Sequence, residues 1–336
     1  MGRRRLTRQQ KSRIQAIQDQ RRHKLAKLAE RSLQQHTDSP AREGRVIIRH
    51  GATLGVEDLD GTVYQCLTRQ NIGHPVCGDR VVWQQIDPTS GVVTALLPRK
   101  TVLSRPDYSG QEKPLAANIS QLVVVLAPRP EPSGYLLDQY LVAAETIRVK
   151  ALIAINKVDL LGKQDKADFL HRFEHYRSIG YALVEVSAKQ EHGLDELIDR
   201  LRDETSILVG QSGVGKSSLI KMLLPTATEI ETGGLSQATG QGRHTTSAAT
   251  CYHLPQGGDL IDSPGVRSFR LTRLSSSQLE QGFPEIRDLL GQCRFHNCSH
   301  EHEPGCAVRA AVAAGRIHPQ RLENYLQLRK TLSSTP

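Results

Sequence analysis

The chain has 336 residues, enough for two or three domains with a buried core. No run approaches the roughly 18 consecutive apolar residues of a membrane span, and the N-terminus lacks the apolar segment of a signal peptide, so a cytoplasmic protein with no membrane partner is expected. The net charge is +9, and residues 1–40 hold +8 of it, eleven Lys or Arg against three acids, leaving a nearly neutral body.

Residues 1–40 read as a basic flexible arm closed by Ser39-Pro40. Such an arm is an electrostatic footprint for a polyanion, most simply nucleic acid; a solubilising tail is the plainer alternative. Residues 41–103 read as a small β-barrel of OB type, with strands at 45–49, 61–67, 79–85 and 91–96. Gly51, Gly55, Asp60-Gly61, Gly73, Gly78 and Ser90-Gly91 are expected to supply turns. Barrels of this type often bind RNA, but aromatic residues for base stacking are scarce here (Tyr64, Trp83), so no contact is assigned to a residue.

Across residues 104–280, apolar strands alternate with helices. Strands are expected at 122–127, 151–155, 182–186 and 207–209, and helices at 136–145, 169–177 and 218–224. Leu194, Leu197, Ile198 and Leu201 sit at helical spacing, and Leu260-Ile261 precede Asp262. This is the pattern of a mostly parallel α/β sheet, whose ligands bind where the strands end.

The motifs fall at those ends. Asn156-Lys157-x-Asp159 selects guanine: a carboxylate can accept from guanine N1–H and its exocyclic amine, which adenine cannot match. Lys157 can cover the base, and Asn156 can tie this loop to the next. Ser187-Ala188-Lys189 follows, with the Ala188 N–H able to reach guanine O6. Then comes a P-loop, Gly210-Gln211-Ser212-Gly213-Val214-Gly215-Lys216-Ser217, followed by Ser218. Its glycines turn N–H groups toward phosphate, Lys216 reaches the β- and γ-phosphates, and Ser217 ligates Mg²⁺. Asp262-Ser263-Pro264-Gly265 comes last: Asp262 for the Mg²⁺ shell, Gly265 for the γ-phosphate. Between them, Gly242-Arg243-His244-Thr245-Thr246 suits a switch loop, with Thr246 (or Thr245) on Mg²⁺.

An ordinary small GTPase carries its P-loop first and its base-reading motifs last. Here the set is complete but rotated, as in a circularly permuted P-loop GTPase. Val266 stands where a Ras-like GTPase carries a water-orienting glutamine, so slow intrinsic hydrolysis with activation by a partner is expected. The catalytic set is then Lys216, Ser217, Asp262 and Gly265. His244 is the in-chain candidate for the missing glutamine, against the alternative of an exposed loop histidine.

Residues 281–336 read as a mainly helical zinc module. Cys293, Cys298, His300 and Cys306 have the spacing C-x4-C-x-H-x5-C, which suits one closed, structural Zn²⁺ site. His296, Glu301 and His302 lie close by, leaving another histidine open as ligand. Cys66, Cys77 and Cys251 have no such pattern and read as packed thiols.

Together these features resemble the bacterial ribosome small subunit-dependent GTPase A family. The resemblance covers nearly the whole chain and rests on Asn156 to Asp159, Gly210 to Ser217, Gly242 to Thr246, Asp262 to Gly265 and the four zinc ligands. It implies GTP/GDP, Mg²⁺ and one Zn²⁺ as cofactors. It also implies a late assembly factor of the small (30S) ribosomal subunit that meets 16S rRNA near the decoding region. Such a factor hydrolyses GTP faster on the subunit than alone and helps release another small-subunit assembly factor; a monomer is expected. The competing reading is a GTP-switched RNA- or ribosome-binding module in which hydrolysis is incidental.

Overall fold

Five short strands build the first of two units in the computed structural model: β1 (Ala41–His50), β2 (Thr53–Glu57), β3 (Val63–Thr68), β4 (Arg80–Gln85) and β5 (Ser90–Leu96). The structure describes residues 20, 24–32, 39–106, 111–224, 249–263 and 274–333. One compact unit comprises residues 1–100 and 238–251, the other residues 101–237 and 252–336. No helix among the described residues is long and apolar enough to cross a membrane.

In the first unit β1, β2 and β3 run antiparallel in sequence, β3 pairs in parallel with β5, and β5 pairs with β4. β4 returns to pair with β1, which closes the barrel in the order 1-2-3-5-4, an OB-like arrangement with no free edge inside the ring. Alternate residues point inward: Val46, Leu54, Val56, Tyr64, Cys66, Val81, Trp83 and Val93 form the core. Tyr64 and Trp83 pack on each other inside it, with ring centroids 4.5 Å apart.

Two glycines named among the turn residues lie in strands, Gly91 in the one expected at 91–96. Gly55 is in β2 opposite Ile48, where a Cβ would come 3.0 Å from the Ile48 Cβ. Gly91 is in β5, where a Cβ would come 2.6 Å from the Trp83 ring. Close backbone approach, not turn geometry, is why these positions are glycine. Within the arm expected to be flexible, residues 24–32 are helical, with Ala26 and Ala29 buried.

The second unit opens with a hairpin, β6 (Val102–Pro106) and β7 (Glu112–Ala117). A parallel sheet follows, from β8 (Gln121–Leu126), β9 (Lys150–Ile155), β10 (Ala182–Glu185), β11 (Thr205–Val209) and β13 (Asp259–Asp262), in the order 10-9-8-11-13. β12 (Ala249–His253) precedes β13 in the chain. All six residues of β8 are buried, as expected of a central strand covered on both faces. The helices are α1 (Gly134–Ile147), α2 (Lys163–His171), α3 (Glu174–Ile179), α4 (Leu194–Leu201) and α5 (Lys216–Leu223). The stretch read as one helix over 169–177 is thus two, meeting at Arg172 and Phe173.

Among the described residues that follow are four more helices: α6 (Ser276–Gln281), α7 (Pro284–Arg287), α8 (Ala307–Ala313) and α9 (Pro319–Ser333). They share a core of Leu279, Phe283, Ile286, Val308, Ala311, Tyr325 and Leu328, which Val142 of α1 completes. The helical module is therefore packed directly on α1.

Candidate nucleotide and metal sites

Because the five strands are parallel and in register, their carboxyl ends lie along one edge. β9 delivers Asn156 there, β10 leads through Val186 to Ser187, β11 delivers Gly210, and β13 ends on Asp262. Motifs scattered over more than a hundred residues of sequence are brought to a single rim.

Asn156 joins three of the loops. It is 1% exposed. Its Nδ2 donates to the Val214 carbonyl in the P-loop (2.9 Å), and its Oδ1 accepts from the Ala188 N–H (3.2 Å). In this structure the Ala188 N–H is thus directed at Asn156, the group the sequence reading aims at guanine O6. The close approach leaves no room at Gly215: with φ of 95°, a Cβ there would lie 2.3 Å from Asn156 Nδ2. Gly210 is equally obligatory, with φ of 135° and a hypothetical Cβ 2.3 Å from the Val125 carbonyl.

Asp159 is half-buried, and the Ser187 hydroxyl donates to its Oδ1 at 2.6 Å, which sets the direction of the carboxylate. Ser187 is itself held by its N–H to the His192 carbonyl (2.9 Å), while its hydroxyl accepts from the Gln190 N–H (3.2 Å). Sequence reading had no signal for His192, since only a backbone carbonyl is used. Lys189 is exposed.

Two ammonium groups border the P-loop. Lys157 Nζ donates to the Gly213 carbonyl (2.6 Å) and the Arg129 carbonyl (3.4 Å). Lys216 Nζ donates to the carbonyls of Gly210 and Gln211, both at 2.7 Å. The Gln211 Oε1 is buried with no hydrogen-bond partner among the described residues. Ser212, Ser217 and Ser218 are exposed at or beside the N-terminus of α5. A helix N-terminus with two cations beside it is chemically suited to a polyphosphate, and the glycine cradle fits close backbone approach. Asp262 is half-buried, and Ser263 beside it is 7% exposed. His244, Thr245, Thr246, Gly265 and Val266 lie outside the described residues.

In the C-terminal part of this unit the ligand atoms of Cys293, Cys298, His300 and Cys306 all lie within 4.8 Å of one another. His300 Nδ1 stands 3.3 Å from Cys306 Sγ and 3.7 Å from Cys293 Sγ. The set fits a tetrahedral Zn²⁺ site with all positions filled by protein. His300, 3% exposed, is the histidine grouped with the three cysteines, whereas His296 and His302 are exposed. Backbone N–H groups support the sulfurs: Ala307 donates to Cys293 Sγ (3.3 Å) and Arg309 to Cys306 Sγ (3.5 Å).

Glu303 folds the loop that carries His300. Its carboxylate accepts from the Ser299 N–H (2.7 Å) and hydroxyl (2.5 Å) and from the N–H groups of Glu301 and His302. These hydrogen bonds hold the carboxyl well below the usual range. The other three cysteines are buried and in no disulfide, and burial pushes the Cys66 thiol up to about 12.

Comparison with known proteins agrees with this geometry. The family model described as RsgA GTPase matches residues 96–272. The chain is 46% identical to a protein of Hahella chejuensis named small ribosomal subunit biogenesis GTPase RsgA, covering 99% of this chain and 97% of the relative. It is 45% identical to the protein of the same name from Pseudomonas aeruginosa, covering 100% and 99%. Among solved structures, YjeQ from Thermotoga maritima superposes with a TM-score of 0.72 at 32% identity, covering 88% of this chain and 100% of that one. YloQ, described as a circularly permuted GTPase, gives 0.70 at 31% identity, covering 90% and 98%.

Proposed function

Because the chain belongs to the RsgA GTPase family, we propose that it hydrolyses GTP while assisting late maturation of the small (30S) ribosomal subunit. The observation that carries the guanine-nucleotide reading is Asn156, whose one side chain locks the base-reading loops to the phosphate loop. The ribosomal part is supported by relatives that carry the name small ribosomal subunit biogenesis GTPase over almost their whole length.

In this reading Asn156, Lys157, Asp159 and Ser187 to Lys189 take the guanine, and Gly210 to Ser218 take the phosphates. Ser217, Asp262 and Thr246 or Thr245 hold Mg²⁺, which when bound neutralises charge on the phosphates. Lys216 leaves the Gly210 and Gln211 carbonyls for the β- and γ-phosphates, Gly265 donates to the γ-phosphate, and His244 is the candidate for placing water. The Cys293, Cys298, His300 and Cys306 set holds one structural Zn²⁺.

Residues 1–40 and the barrel at 41–103 meet 16S rRNA, 104–280 is the GTPase domain, and 281–336 is the zinc module. The protein works in the cytoplasm as a monomer alongside other small-subunit assembly factors. GTP fixes a form that fits the subunit, and hydrolysis relaxes it. Cosedimentation with purified subunits tests this: tight binding to 30S with a non-hydrolysable GTP analogue and weaker binding with GDP are expected. Equal binding in both nucleotide states would contradict it.

A further inference from the structure

Helix α1 makes two contacts that no motif accounts for. Tyr140, 2% exposed, is hydrogen-bonded to the backbone of Gly210, the residue at which β11 becomes the P-loop. Two residues earlier, Asp138 is 0% exposed and held by three side chains from two other helices. Arg321 Nη1 (2.5 Å) and Asn324 Nδ2 (2.7 Å) donate to it from α9, and the Tyr176 hydroxyl (2.9 Å) from α3. Arg321, also 0% exposed, makes a two-pronged contact to Glu285 of α7 at 2.6 and 3.1 Å. Its guanidinium lies 4.4 Å from the Phe283 ring centroid.

Positions two apart point to different sides of a helix. Tyr140 therefore faces the nucleotide loop while Asp138 faces the C-terminal module, and α1 cannot turn or slide at one contact without disturbing the other. The Asp138–Arg321 pair is an unusual way to join two elements. Apolar side chains of the same volume would often hold them as well or better, whereas a buried, fully bonded ion pair tolerates few alternative geometries. Gly210 is likewise fixed, its carbonyl by Lys216 and its backbone by Tyr140.

We propose that α1 couples the C-terminal module to the phosphate loop, with Tyr140 as the positioning residue at Gly210 and Asp138 as the anchor for Arg321 and Asn324. The proposal rests on the reading of Gly210 to Ser218 as the phosphate site. When Lys216 moves from the Gly210 carbonyl to a phosphate, the balance of contacts on Gly210 changes. Tyr140 passes that change into α1, and Asp138 passes it to α9 and the zinc module. Coupling of this kind is reciprocal: what the module does to nucleotide affinity, nucleotide does to the module.

The test uses the full-length, zinc-loaded chain with two readouts: affinity for a fluorescent GDP analogue, and the rate of zinc release to a chromophoric chelator with and without GDP. GDP is expected to slow zinc release about 5-fold. Tyr140→Phe removes that slowing. Asn324→Ala, which touches nothing in the nucleotide site, weakens GDP analogue affinity about 5-fold, and adds nothing in the Tyr140→Phe background. Arg321→Met would strand two buried carboxylates, so Asn324→Ala is the informative variant. If the native chain binds GDP but its zinc release ignores it, or if the two substitutions simply add, the coupling through α1 is overturned. If the native chain binds no guanine nucleotide, it is the phosphate-site reading that fails.

Discussion

Asn156 concentrates the account in one side chain. Its amide makes two hydrogen bonds to two different loops, each worth about 1 kcal/mol net, and its loss would leave the buried Val214 carbonyl without that partner. Asn156→Ala is expected to lower unfolding free energy by about 2–4 kcal/mol and GDP affinity by about tenfold or more. Denaturant unfolding and nucleotide titration check both; intact affinity would mean the loops hold together without it. His175 makes a second residue-scale prediction. Burial lowers its pKa from 6.5 to about 4, and the stacked His318 (4.1 Å) and Arg321 push the same way. The folded state therefore binds this proton less readily than the unfolded chain. The stability it contributes is complete above about 6.5 and is lost as pH falls toward 4. His175→Gln should flatten that part of the pH–stability curve; an unchanged curve would show that other groups govern it.

At the scale of elements, zinc and the helices around it should behave as one piece. The ligands sit before and at the start of α8, and their loop is tied to α9 through the Arg329 guanidinium and the Ser299 carbonyl (2.5 Å). Chelation should cost helical circular dichroism and loosen the C-terminal module. The single tryptophan, Trp83, is in the barrel core, so its emission should stay constant. A parallel change in Trp83 emission would show that the barrel depends on the metal.

The motif-bearing elements were legible because their chemistry is contiguous: a strand, a tight glycine-rich turn and a helix start lie within a dozen residues. Asp262 and the zinc spacing were readable for the same reason. β2 was missed because Gly55 interrupts its apolar alternation, and the β6–β7 hairpin because it carries no strong period-two pattern. Tyr140 and Asp138 were invisible for a different reason. A buried tyrosine and an acid in a helix read as ordinary core and surface until partners 38 to 186 residues away are in place. The switch residues His244 and Gly265 stand on sequence and family resemblance alone.

At the scale of the whole molecule, the rotated motif order still yields a parallel sheet, with Asn156, Ser187, Gly210 and Asp262 at the carboxyl ends of its strands. Circular permutation leaves sheet neighbours unchanged and moves only the chain ends. The ends it creates are used: the basic arm and barrel precede the GTPase fold, and the zinc module follows the Asp262 strand. With +8 of the +9 net charge in residues 1–40, attraction to a polyanionic particle is built into one end of the chain. On the proposed reading, Val266 in place of a water-orienting glutamine leaves intrinsic hydrolysis slow and raises it on that particle.

GTP turnover by the purified chain, alone and with purified 30S, 50S and 70S particles at moderate salt, tests this most directly. A low basal rate raised strongly by 30S alone is predicted. A rate indifferent to every particle would contradict the account.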